Sequence, residues 1–161
     1  MPWKVDVPKS DDVYFERMSK AMFSAGLNWK MVDNKWPNFR KAFDGFSMGK
    51  VAKFDENDVR RLMADAGIVR NEKKIRATIF NAQEALRLKK EYGSFERFIK
   101  SFHGAHDGAI YEITQRFRHV GPSSSRTFMW MVGTKLTPTA EEKAWIESHN
   151  RRGKKKEATK E

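Results

Sequence analysis

The chain has 161 residues, 39% of them apolar, enough for one domain with a buried core. It contains no cysteine, which excludes disulfides and thiolate metal sites and fits a reducing cytoplasmic compartment; no apolar run approaches the roughly 20 residues of a membrane span. The formal charge is +11, of which the segment Arg151–Glu161 supplies +4, so the body keeps +7 and suits either a polyanionic partner such as nucleic acid or a solubilising surface.

The N-terminus, Met1-Pro2-Trp3-Lys4-Val5-Asp6, lacks the basic-then-apolar pattern of a signal peptide. Ser10-Asp11-Asp12 then caps a helix carrying Val13, Phe15, Met18, Met22 and Phe23 to a stop at Gly26. Pro37 suits the first turn of a short helix with Phe39, Ala42 and Phe43. Asp55 caps a helix with Val59, Leu62 and Met63, ended by Gly67. Asn71 opens the longest helix, with Ile75, Ile79, Ala82, Leu86 and Leu88 at helical spacing up to Gly93, and Ser94 caps one with Phe95, Phe98 and Ile99. Phe102–Gly108 reads as a loop. Two short helices follow, over 109–118 and 123–131, joined by His119-Val120-Gly121-Pro122. Thr137-Pro138-Thr139 begins a last helix through Trp145 and Ile146, and a basic tail without a core pattern follows from Arg151. The fold class is all-α.

The 117–128 region can carry chemistry. Two short helices joined by a glycine-containing turn can present backbone N–H groups and a helix N-terminus to a phosphate without reading sequence. Gly121 is expected to supply an unusual φ and room for the phosphate. Ser123, Ser124 and Ser125 would add hydroxyl donors, and Arg116, Arg118 and Arg126 positive charge. The competing reading is an ordinary helical corner with a glycine cap.

A second set of blocks bears on that choice. Ser24-Ala25-Gly26-Leu27-Asn28-Trp29 is followed by Asn38-Phe39-Arg40-Lys41-Ala42-Phe43. Then come Asp65-Ala66-Gly67-Ile68-Val69-Arg70-Asn71 and Lys74-Ile75 through Asn81-Ala82, and later Arg116-Phe117-Arg118-His119-Val120-Gly121. In that order and spacing the chain resembles the 3-methyladenine DNA glycosylase I family over roughly Trp3 to Gly133. The resemblance implies an all-α, helix-hairpin-helix DNA glycosylase fold that extrudes a damaged nucleotide and holds the base between aromatic faces. It places Trp29 in the base pocket, with Trp3, Ala21 and Asn28 around it. It assigns Arg118, His119, Val120, Gly121, Ser123, Ser124 and Arg126 to the DNA backbone. An indole face suits a cationic alkylated purine.

The chain departs from the family pattern in three places. The family keeps a purine-recognising glutamate eight residues before the pocket tryptophan, and counting back from Trp29 gives Ala21. Glu16 lies five residues earlier, turned by about 140° around a helix, and is a poor substitute. The family's terminal zinc site needs cysteines that are absent here, and His103 and His106 form only a spaced pair, so no metal and no cofactor are expected. The family's Tyr-His-Asp segment has no counterpart, and one pocket tyrosine is expected to go with it. A catalytic residue is therefore not identified. The window after the hairpin where other glycosylases of this fold keep an aspartate offers Glu141 and Glu142, whose setting in Thr139-Ala140-Glu141-Glu142 is also that of a helix cap.

These readings combine into a single helical glycosylase-like domain over 1–150 with a basic tail over 151–161. It would act as a monomer on double-stranded DNA, in base-excision repair of alkylation damage, as a monofunctional N-glycosylase hydrolysing the bond to alkylated purines. The alternative is a catalytically inactive DNA-binding protein on the same scaffold.

Overall fold

The computed structural model describes residues 5–136 together with Ala140, Lys143, Ala144, Glu147 and Ser148. All regular structure among them is helical. In chain order it comprises α1 (Asp11–Ser24), α2 (Trp29–Ala42), a 3₁₀ turn (Asp44–Phe46), α3 (Met48–Val51), α4 (Glu56–Met63), α5 (Glu72–Tyr92), α6 (Phe95–Lys100), α7 (His106–Arg116) and α8 (Pro122–Met131).

Local chemistry sets most helix starts. Ser10, Asp55, Asn71 and Ser94 accept backbone N–H groups of α1, α4, α5 and α6 through their side chains, as the sequence predicts. The two acids after Ser10 reach further. Asp11 accepts the N–H of Phe95 and Asp12 that of Met48, each at 3.0 Å, so the start of α1 also caps α6 and α3. Arg17, in the middle of α1, donates to Asp6 O and Met131 O at 2.6 and 2.7 Å and pairs with the Asp6 carboxylate. It thereby ties the N-terminal segment to the end of α8. Gly133, at φ 83°, is what lets that crossing close, because a Cβ there would stand 3.1 Å from Val7 N.

α1 sits at the centre, packed against α2, α5, α6 and α8. Phe15, Met18, Met22 and Phe23 of α1 are buried in one apolar cluster with residues of every other helix. An aromatic file, Trp36 on Phe46 at 5.0 Å and Phe43 on Phe46 at 5.3 Å, closes the α2 side. Each such pair contributes about 0.5–1.5 kcal/mol beyond the area it buries.

The structure revises four sequence expectations. α2 begins at Trp29, not at Pro37, and carries Pro37 in its interior. Asn28 supplies the missed start by accepting from Lys30 N and Met31 N, and the buried stripe Val32, Trp36, Phe39 outweighs the hydrogen bond that Pro37 forfeits. α4 stops at Met63 with Ala64 as its cap, three residues before Gly67. Gly67 instead packs against α2, where Asn38 donates to its carbonyl at 3.1 Å. α7 starts at His106, inside the segment read as a loop. The 3₁₀ turn and α3 are new; α3 is a single turn capped locally by Ser47, which accepts from Lys50 N, and from a distance by Asp12. Ala140, Lys143 and Ala144 of the last predicted helix are helical. Trp3, Glu141, Glu142, Trp145, Ile146 and the 151–161 tail lie outside the described residues.

Candidate nucleic-acid interface and base pocket

The link between α7 and α8 is short, and neighbouring helices hold both of its ends. Phe117 and Val120 are buried, while Arg118 and His119 between them are exposed. Pro122 is the first residue of α8, with its missing N–H where none is needed. The expectation for Gly121 is corrected: its φ is −77°, an ordinary value, and His119 at φ 56° makes the left-handed turn. A non-glycine residue in that region costs roughly 1–2 kcal/mol. What glycine leaves at 121 is space, since a Cβ would meet nothing within 4 Å.

The charges around the link divide into two groups. Arg118 lies over the Phe80 ring, 3.8 Å from its centre, with its side chain at the surface. Arg116, read from sequence as part of the positive rim, turns instead toward α5. It bonds Glu84 at 3.0 Å and Glu91 at 3.1 Å, and its side chain is 13% exposed. Of the three serines, only Ser123 is exposed; Ser124 is 8% exposed, and Ser125 is buried beside Thr114 at 3.3 Å. The hydroxyls of Ser124 and Ser125 therefore belong to the packing of α8, not to a surface rim. Arg126 is half-buried on α8.

The expected base pocket is built from the end of α1 and the start of α2. Ala21 is 2% exposed, in the core. Trp29, first residue of α2, is half-buried with one side against the core. Asn28 beside it holds the first turn of α2 through its side-chain oxygen. Lys74 of α5 donates to Ala25 O at 3.1 Å and Phe23 O at 3.4 Å, a cation on the carbonyl end of α1, where the helix dipole favours it. Burial lowers the Lys74 pKa from its ordinary value. Glu16 is engaged elsewhere: it is buried and takes three hydrogen bonds of 2.7–3.1 Å from Arg40, which hold the guanidinium above its ordinary pKa. It does not stand in for an acid at position 21.

A model of the methyladenine glycosylase family matches residues 2–127, from α1 through the link into α8. The chain belongs to the methyladenine glycosylase family. It is 40% identical over 97 residues to DNA-3-methyladenine glycosylase 1 of Escherichia coli K12, covering 60% of this chain and 52% of that one. It spans about half the length of the curated relatives it matches. Among solved structures, a 3-methyladenine DNA glycosylase I superposes with a TM-score of 0.72 at 30% identity, over 81% of this chain and 83% of the other. The Staphylococcus aureus 3-methyladenine DNA glycosylase I gives 0.73 at 23% identity, over 82% and 81%, a likeness of fold. The all-α glycosylase fold expected from the sequence is thus the observed one. No helix among the described residues is long and apolar enough to cross a membrane.

Asn81 belongs to the family block over 74–82, where sequence reasoning assigns it no separate role. Asn81, buried on the apolar face of α5, bonds the backbone of Arg118. Its signal in the sequence is a polar residue on a face otherwise made of Ile75, Thr78, Ala82 and Ala85.

Proposed function

We propose that this family member hydrolyses the N-glycosidic bond of alkylated purines such as 3-methyladenine in double-stranded DNA, as a cytoplasmic monomer whose helical domain spans 1–150 and whose basic tail spans 151–161. The observation that carries this reading is the continuous family match over residues 2–127, which joins the pocket helices to the link between α7 and α8. In this reading Arg118, His119, Val120, Gly121, Ser123, Ser124 and Arg126 hold the phosphate backbone. Ser124 contributes through the first turn of α8, because its side chain is buried. The flipped purine stacks on Trp29, with Trp3, Ala21 and Asn28 lining the same site.

Ala21 presents only a methyl group, so the pocket offers no carboxylate at that position to recognise a purine edge or stabilise charge on the sugar. The chemistry then rests on the substrate. A 3-alkylated purine is cationic while attached to the sugar; as the C1′–N bond breaks, its electron pair returns to the ring and the base leaves neutral. Water adds to C1′ and releases its proton to solvent. Such a leaving group needs little acid catalysis, whereas neutral bases would stay in place. The family's zinc site does not fit this chain, which has no cysteine to hold it, and no step depends on a metal.

The test is release of free base from alkylated duplex DNA by the purified protein and its Trp29→Ala variant. Release of 3-methyladenine by the first and not the second supports the proposal. Tight, salt-dependent duplex binding without release replaces it with the non-catalytic DNA-binding reading, which Ala21 favours.

A further inference from the structure

We infer that Asn81 is the positioning residue of the DNA-holding link, and that it, rather than Gly121, sets the geometry of the turn. The inference rests on the reading above that this link grips phosphate. Asn81 is 2% exposed, and both ends of its amide are used on one residue. Its Oδ1 accepts the Arg118 N–H at 2.8 Å, and its Nδ2 donates to the Arg118 carbonyl at 3.0 Å. The Nδ2 also lies 3.9 Å from Met22 Sδ on α1, so the amide is enclosed between α1 and the link. The preceding residue completes the arrangement, because the Arg118 guanidinium rests on the Phe80 ring. Phe80 and Asn81, adjacent on α5, thus hold the side chain and the backbone of the same arginine.

That clamp matters because of the residue that follows. His119 is left-handed at φ 56°, a conformation that persists only where its surroundings over-determine it. Gly121 does not absorb the turn. Two fixed points do: Arg118, tied to Asn81, and Val120, buried in the core. Between them His119 has no freedom to relax, and the backbone N–H groups beyond it are aimed in advance, before DNA arrives. An asparagine suits this site because it offers one donor and one acceptor at equal reach. Leucine has the same shape and neither group. Serine keeps a single hydroxyl on a shorter arm.

The experiment measures binding of an undamaged, fluorescently labelled duplex by the full chain and by Asn81→Leu, Asn81→Ser and Val59→Ala. Val59 is buried on α4, and its truncation serves as a control for loss of stability alone. All are compared at a temperature where each melts cooperatively above the assay. Asn81→Leu should lose about tenfold in duplex affinity, and Asn81→Ser less, while Val59→Ala binds as the parent does. On alkylated duplex, KM should rise by a similar factor while kcat at saturating DNA stays within about twofold, a split that general destabilisation does not produce. Hydrogen exchange at the Arg118 amide should accelerate selectively. If the parent binds duplex and both Asn81 variants bind it as tightly as Val59→Ala does, the inference fails and the proposed function stands. If the parent itself does not bind duplex, both fall. Should Asn81→Leu fail to fold, Asn81→Ser and the exchange measurement decide the matter.

Discussion

Ser24 has the only buried side-chain nitrogen or oxygen without a hydrogen-bond partner among the described residues. The helix offers an ordinary remedy that its neighbours use: Ser19 donates to Phe15 O at 2.9 Å, and Thr78 and Thr114 to Lys74 O and Ile110 O at 2.8 Å. Ser24 does not. Deleting an unsatisfied buried hydroxyl removes a desolvation cost, so Ser24→Ala should raise unfolding free energy by about 1 kcal/mol, read from the urea midpoint at constant m. A lowered midpoint would mean that the hydroxyl has a partner in solution. Gly121 gives the converse case. At φ −77° with open space around its Cα, Gly121→Ala should leave stability unchanged or raise it by up to roughly 1 kcal/mol. Under the proposed backbone grip the new methyl would stand where a phosphate approaches, so duplex affinity should nevertheless fall. Unchanged affinity would count against a backbone grip at this position. The presence of glycine at 121 was legible in the sequence; its reason was not, since φ depends on how α5 holds Arg118.

At the scale of elements, the helix starts at Ser10, Asp55, Asn71 and Ser94 were legible because a side-chain cap and an apolar stripe coincide there. The same pairing at Asn28 was masked by Pro37 inside α2. Other starts were illegible where a stabilising partner is distant. α3 adds Asp12 from α1 to its own Ser47 cap, and α2 runs through Pro37 because Val32, Trp36 and Phe39 are buried together. The joint between α1 and α6 illustrates the same dependence in a titratable group. Tyr14 stacks on Phe95 at 5.5 Å, and burial, aided by Glu96 and Asp11, pushes its hydroxyl from 10.0 to about 12 against the opposing effect of Arg17. The folded state thus holds its proton more tightly than the unfolded state. The Tyr14 contribution should be fully present below pH 10 and be lost as pH rises from 10 toward 12, by roughly 2–3 kcal/mol across the window. Absorbance titration should show one of the three tyrosines ionising late, and Tyr14→Phe should remove that late step. Three tyrosines titrating together would contradict the buried joint.

For the molecule as a whole, charge predicts behaviour better than it predicts a site. Many of its cations are matched by carboxylates: Arg76 binds Glu56 and Glu72, Arg116 binds Glu84 and Glu91, and Lys20 binds Asp33. These pairs cancel within the net +11, so it is the gross count of 32 Lys+Arg that overstates what is available to a polyanion. With a few phosphates contacted, log Kobs against log salt should fall with a slope of magnitude about 3, and Arg118→Ala should reduce that magnitude by about 1. An unchanged slope would place Arg118 away from the phosphates. Composition, helix caps and the order of the Ala-Gly-Leu-x-Trp, Asp-Ala-Gly-Ile and Val-Gly blocks were enough to determine the all-α class and the family, because these are local or linear properties of the chain. Which arginine faces outward and why His119 rather than Gly121 turns left-handed were decided only when α5 packed against the link, and which serine is buried when α8 packed on α1 and α7. Those outcomes depend on partners far apart in sequence, such as Asn81 with Arg118 and Glu84 with Arg116, and no local preference encodes them.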